Sequence, residues 1–169
     1  AYSNSKKIVN SVGNSTIKLF NNNKIATVIK HIPGHGLSKK DTHFKLPYVI
    51  DNLNYLKKND FSLFRKKKSI FAMTAHIVFN SIDSKNCVTH SKKAVQYIRN
   101  NIGFKNLIIS DDISMRALRY SFDENIIKAY DAGCNLVLHC NANIGEMNKL
   151  AAIAPRINKL IIKKTSEFY

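Results

Sequence analysis

The sequence predicts an α/β fold built on parallel strands, and three observations predict it. Short runs of apolar, β-branched residues alternate with stretches of helical spacing, four times in succession along 169 residues. Each strand run is apolar almost throughout, and strands buried on both faces belong to a parallel sheet flanked by helices. The ionisable and glycine-rich segments fall just after the strands, at Lys30–His43, Thr74–His76, Ser110–Ser114 and Cys140–Asn141. Loops after several strands converging on one face form a barrel mouth, whereas an open sheet gathers its site at one switch point. A full (β/α)8 barrel takes roughly 250 residues. Four β/α units therefore make half of one, as a curved sheet of four parallel strands with outer helices.

The elements follow in order. Ile8, Val9, Val12, Ile17 and Leu19 lie near helical spacing between Ser5 and Asn23, with "NNN" as a stop. The run Lys24–Lys30 is a strand. Pro33, Gly34 and Gly36 then exclude a regular helix from "IKHIPGHGLSKKDTH" and ask for a loop of unusual backbone angles. Pro47 opens the helix "PYVIDNLNYLKK" from its first turn. Ser69–Phe79 is a strand, followed by a loop to Val88 and a helix over His90–Phe104 that stops at Gly103. Asn106–Ser110 is a strand, "SFDENIIKAYDAGC" holds a helix, and Asn135–Cys140 is a strand. Two helical stretches close the chain, the last near Ala154–Thr165. The strands centre near Val28, Met73, Ile108 and Val137, with every neighbouring pair parallel.

Composition narrows the function classes. Lys+Arg 27 against Asp+Glu 11 gives a net charge of +16, which attracts polyanions without specificity. The lysines are scattered, as in "SKK", "KKND", "RKKKS" and "KKTSE", with no RNA-binding aromatic motif, zinc spacing or helix-turn-helix signature. A solvated basic surface is the reading, and no nucleic-acid partner is expected. A basic nucleic-acid-binding module stands as the alternative from another class, and binding that collapses with salt would mark it. No run reaches the roughly 18 apolar residues of a membrane span, so no membrane association is expected. No signal peptide is visible at a start, "AYSNSKK", that reads like the middle of a longer chain. Cys87, Cys134 and Cys140 are odd in number and lack a CxxC spacing, as suits free or buried thiols of a reducing compartment.

Four constellations carry possible chemistry. Asp111 and Asp112 follow a buried strand directly, so one carboxylate can face the mouth while the other caps the next segment. In Asp41-Thr42-His43 the carboxylate can fix the imidazole's tautomer and raise its pKa, which makes a general acid/base; the competing reading is a solvated turn histidine. Lys30-His31 is a donor pair suited to sugar hydroxyls or a carboxylate. His76 in "MTAHIV" is either a ligand contact or a core histidine bonded to backbone. Metal binding by His31, His35 and His43 fits no usual zinc spacing, and Lys30 would repel a cation, so no metal is expected.

Taken in order on successive β/α units, "KHIPGHG", "DTH", "MTAHIV" and "SDDISM" resemble the bacterial β-N-acetylglucosaminidases of glycoside hydrolase family 3, of the single-domain cytoplasmic type that recycles peptidoglycan fragments. The resemblance implies a TIM barrel, with residues 1–169 as the carboxyl-terminal half of its catalytic domain, strands five to eight. It implies a retaining exo-enzyme that removes N-acetylglucosamine from N-acetylglucosaminyl-anhydromuramyl fragments, with no cofactor. Asp111 then matches the nucleophile that forms a covalent glycosyl-enzyme, and His43 the acid/base, with Asp41 as its partner. Lys30 and His31 match the residues that hold the sugar hydroxyls, and His76 and Met115 join them on the substrate side. A histidine acid/base departs from the two-carboxylate scheme of most glycosidases. The further sugar contacts of the family come from the amino-terminal half of the barrel, so these residues alone are expected to be inactive or poorly stable. A family 3 β-glucosidase and a glycoside phosphorylase are the neighbouring alternatives. The D-x-H dyad argues against the first, since those relatives generally take their acid/base from another domain.

Overall fold

A computed structural model describes residues 2–38 and 45–168. Helix α1 (Lys6–Asn22) leads into strand β1 (Val28–Ile32), and after the undescribed stretch come strand β2 (Tyr48–Val49) and helix α2 (Leu53–Lys58). A 3-10 turn (Asp60–Phe64) precedes strands β3 (Phe71–Thr74) and β4 (Val78–Phe79). A second 3-10 turn (Val88–His90) precedes helix α3 (Lys92–Tyr97), which widens into a π turn (Ile98–Ile102). Strand β5 (Leu107–Asp112), helix α4 (Phe122–Ala132), strand β6 (Leu136–Leu138), helix α5 (Ile144–Ile153) and helix α6 (Lys159–Thr165) complete the order.

The main sheet runs β1-β3-β5-β6, and its three strand pairs are all parallel. This is the α/β half-barrel order read from the sequence, and the four strands contain Val28, Met73, Ile108 and Val137. Pairing sets Met73 opposite Ile109, and Ile109 opposite Leu136. Side chains alternate across a strand. Ala72, Thr74, Ile108 and Ser110 therefore share a face, and each is 0% exposed. That face packs on Ala94, Val95 and Ile98 before β5 and on Ile126 and Ala129 of α4. Phe71, Met73, Ile109 and Asp111 turn the other way, toward the hollow of the curved sheet, and all are only partly buried. Ile161 of α6 joins Ile70 and Leu107 in a small second cluster, against which Phe71 and Leu136 pack.

Local chemistry sets the helix ends. The Ser121 hydroxyl accepts from the Glu124 amide and the Glu124 carboxylate accepts from the Ser121 amide, a closed capping box at the start of α4. Ser91, Asn143 and Asn158 cap α3, α5 and α6 with single side-chain bonds. Gly103 and Gly133 end their helices at φ 83° and 108°, where a side chain would be strained.

Three elements differ from the sequence reading. Pro47 does not open a helix: its carbonyl accepts from the Val78 amide at 3.0 Å, and Tyr48–Val49 pair in parallel with Val78–Phe79. Burial of Val49 and Phe79, each 2% exposed, outweighs the helical signal. The helix waits until Asn52, whose side chain accepts from the Tyr55 amide. Ser69–Phe79 is correspondingly two strands, because the chain leaves the main sheet after Thr74 and joins the small one. The helix expected over His90–Phe104 starts at Lys92 and ends in the π turn, stopping at Gly103 as read.

The unusual backbone expected of this loop lies at two cis peptide bonds, Lys30–His31 and Ile32–Pro33, and not at Gly34 or Gly36, neither of which has a positive φ. The role of the glycines is close approach. A Cβ on Gly34 would stand 2.5 Å from the Cβ of Asp60, and one on Gly36 would stand 3.3 Å from its Oδ1. Gly34→Ala is expected to destabilise the chain by about 1–3 kcal/mol through overpacking. Urea unfolding checks this, and an unchanged midpoint would show that the turn yields freely.

Candidate active site

The parallel sheet brings the carboxyl ends of β1, β3, β5 and β6 to one edge, and the ionisable residues gather there. Asp111 ends the hollow-facing row of β5, with its side chain 16% exposed. Its Oδ2 stands 3.5 Å from His31 Nε2, and its Oδ1 accepts from the Asp112 amide at 2.9 Å. His31 comes from the end of β1, with its ring 5.2 Å from that of His35. Lys30, adjacent and exposed, lines with His31 and His35 a cavity of about 850 Å³ that runs back between β1 and α1.

The two aspartates have separate tasks. The Asp112 carboxylate accepts from the Ser114 amide at 3.0 Å and hydroxyl at 2.8 Å, and from the Cys140 amide at 3.2 Å. It ties the turn after β5 to the end of β6. Asp111 carries no such load and faces the hollow. The split that the sequence allowed, one carboxylate capping and one in the mouth, is the geometry found.

Electrostatics sharpen the contrast. His31 is a cation only if protonated, and its pKa is lowered. Burial is the main cause; His35, Lys30 and His76 add to it, while Asp111 pulls the other way. A neutral imidazole beside Asp111 does not quench the carboxylate's charge, which leaves it available as a nucleophile. At 3.5 Å the contact is a loose one, with room for a ligand hydroxyl to be shared between the two groups.

Of the two readings left open for His76, the geometry has the core histidine. It is 0% exposed, with Nδ1 2.8 Å from Thr89 Oγ1 and Nε2 3.0 Å from the Asp112 carbonyl. Both ring nitrogens are engaged, so no edge remains for a sugar; this corrects its placement among the substrate contacts. Met115 is partly buried in the turn after β5, where its amide donates to the Asp112 carbonyl at 3.2 Å. Asp41 and His43 lie outside the described residues.

Sequence reasoning missed three supporting groups. Asp60, more than forty residues before β5, accepts from the Gly36 and Leu37 amides and braces the loop after β1; burial raises its pKa. Thr89 links His76 to Thr74, its hydroxyl 2.8 Å from each partner atom. His139, 6% exposed, meets Glu146 at 2.7 Å and fixes the segment after β6. Only Thr74, next to the strand-end histidine, gave a signal. Among the described residues no three His, Cys, Asp or Glu side chains form a metal-holding group.

Burial of histidines also makes a pH prediction. His76 and His31 are lowered below 6.5, and His90 is pushed down to about 4, in each case chiefly by burial. The unfolded chain takes up these protons near 6.5 and the folded chain does not. Stability is therefore complete above that value and falls as pH drops from about 6.5 toward 4. Asp60, whose pKa burial raises, acts in the opposite sense. The urea midpoint is expected to drop between pH 7 and pH 5; a flat midpoint would contradict the burial account.

Comparison with known proteins agrees with this arrangement. Residues 1–166 match the model of the glycosyl hydrolase family 3 N terminal domain. A β-hexosaminidase of Photobacterium profundum is 30% identical over 178 aligned positions, spanning 99% of this chain and 53% of its own length. One from Nitrosomonas eutropha is 37% identical over 124 positions, spanning 69% of this chain and 35% of its own. Among solved structures, a family 3 β-N-acetylglucosaminidase from Paenibacillus superposes with a TM-score of 0.85 at 25% identity, covering 98% of this chain and 34% of that one. NagZ from Neisseria gonorrhoeae, in complex with N-trifluoroacetyl-D-glucosamine, superposes at 0.83 and 25% identity, covering 96% and 49%. The chain thus spans about half the length or less of these relatives. With its parallel half barrel and a match over 166 of its 169 residues, the chain belongs to glycosyl hydrolase family 3.

Proposed function

We propose that this chain is the carboxyl-terminal half of the catalytic (β/α)8 domain of a retaining exo-β-N-acetylglucosaminidase. The observation that carries the reading is Asp111. It is a carboxylate at the barrel mouth with a neutral histidine beside it, while its neighbour Asp112 is tied off by the Ser114 and Cys140 bonds. In the first step Asp111 attacks the anomeric carbon, the glycosidic bond breaks, and the departing oxygen takes its proton from His43. Asp41 stabilises the imidazolium of His43 before that transfer. In the second step His43 takes a proton from water, the water oxygen attacks the anomeric carbon, and Asp111 leaves. Lys30 and His31 hold the sugar hydroxyls on the β1 side, where both line the cavity.

The partner of this half is the amino-terminal half of the barrel. Among the described residues β1 pairs only with β3, and Val28 in it and Ile25 just before it are 43% and 51% exposed, as on an edge meant for a further strand. The substrate class is the N-acetylglucosamine-terminated fragment of peptidoglycan, and the compartment is the cytoplasm, where such fragments are recycled. A glycoside phosphorylase is the second reading, because a histidine acid/base repels phosphate less than a carboxylate does. The protein with both halves should release an aryl alcohol from its β-N-acetylglucosaminide much faster than from the matching β-glucoside. Preference for the glucoside would refute the sugar assignment, and a sugar 1-phosphate formed in phosphate buffer would favour the phosphorylase.

A further inference from the structure

The buried polar groups under Asp111 form a line that the proposed chemistry does not use. Thr74, His76 and Thr89 are each 0% exposed. Their contacts run from the Asp111 amide to Thr74 Oγ1 at 3.4 Å, on to Thr89 Oγ1 at 2.8 Å, to His76 Nδ1 at 2.8 Å, and from His76 Nε2 to the Asp112 carbonyl at 3.0 Å. The line begins and ends on the same dipeptide, Asp111-Asp112.

With His76 neutral, donor and acceptor capacity orders the line in one direction. The Asp112 carbonyl only accepts, so His76 carries its hydrogen on Nε2. A neutral imidazole then offers a lone pair at Nδ1, and the Thr89 hydroxyl donates to it. Thr89 oxygen in turn accepts from the Thr74 hydroxyl, and Thr74 oxygen accepts from the Asp111 amide. Burial, which lowers the His76 pKa, agrees with the neutral form. A protonated His76 would place a hydrogen on Nδ1 as well, so the Thr89 hydroxyl could no longer donate there and its hydrogen would need another acceptor. The charged or titratable groups that act on His76 or its partners are Asp111, Asp112, His31, His90, Cys87 and Cys134.

We propose that Thr74, Thr89 and His76 form a one-directional hydrogen-bond clamp that fixes the Asp111-Asp112 backbone and so aims the Asp111 carboxylate. This rests on the reading of Asp111 as nucleophile. The three are positioning residues, because none faces the substrate. Buried polar networks of this kind specify one geometry when every member is satisfied, and an error of about 1 Å at the attacking atom can cost on the order of a hundredfold in rate.

The test combines histidine 15N NMR with kinetics on the complete protein. The His76 resonances, identified by their loss in His76→Gln, should report the neutral Nε2–H tautomer across about pH 5 to 8, a range in which an ordinary histidine changes charge. An Nδ1–H tautomer, or a His76 that takes up a proton in that range, overturns the clamp whatever the protein hydrolyses. Thr89→Val should lower kcat by roughly ten- to a hundredfold with little change in KM and remove the hydrogen bond at Nδ1. Thr89→Ser keeps the hydroxyl and should restore both. Wild-type kcat in a folded Thr89→Val, or equal losses in the serine and valine forms, overturns the positioning role. If the wild-type protein hydrolyses no glycoside, the functional reading fails, and the tautomer alone decides for or against the clamp.

Discussion

Asp111→Asn, made in the protein with both halves of the barrel, should reduce hydrolysis of an aryl β-N-acetylglucosaminide by on the order of a thousandfold or more, the scale seen when a covalent nucleophile is removed. Its fold should survive, because among the described residues the Asp111 side chain makes one backbone bond and one loose contact to His31. Asp112→Asn should behave differently. The Asp112 carboxylate accepts from Ser114 and from the Cys140 amide across to β6. Weakening those charge-assisted bonds should cost about 1.5–3 kcal/mol of stability while much of the activity remains at low temperature. Reversal of the two phenotypes would put the nucleophile one residue further along.

His43→Ala carries the second large effect. A poor leaving group such as a sugar needs protonation as it departs, and loss of general acid catalysis should cost about 10²- to 10⁴-fold. An activated phenol leaves without a proton, so the same variant should lose far less on that substrate. Comparing kcat/KM for the two leaving groups gives the answer. Equal losses would make His43 a sugar-positioning residue and leave the proton transfer without an agent.

The main sheet was legible because its strands are contiguous apolar runs such as "IATVI" and "NLIIS" between stretches of helical spacing. The small sheet was not. Two-residue strands at Tyr48–Val49 and Val78–Phe79 exist only through each other, and a pairing across some thirty residues leaves no local pattern. At the site, Lys30, His31 and Asp111 announced themselves as ionisable groups after apolar strands. Thr89 did not, since "NCVTHS" reads as an ordinary turn until the fold carries it against Thr74 of β3. His76 was visible, but its direction was undecidable: a histidine at a strand end faces the mouth or the core according to one residue of register. The segment "HIPGHG" was legible as a loop of unusual backbone, which it has at two cis peptide bonds, but not the close approach of Asp60 that its glycines admit.

The most direct measurement is the mass of the peptide that carries the covalent intermediate. A 5-fluoro N-acetylglucosaminyl fluoride slows breakdown of a glycosyl-enzyme more than its formation, so the complete protein can be quenched with the sugar attached and digested. The account predicts one sugar, carried on the peptide around "IISDDISM", with fragmentation placing it on the carboxylate of Asp111. A sugar on Asp112 or on any other residue, or turnover of substrate with inverted anomeric configuration and no adduct, would contradict it.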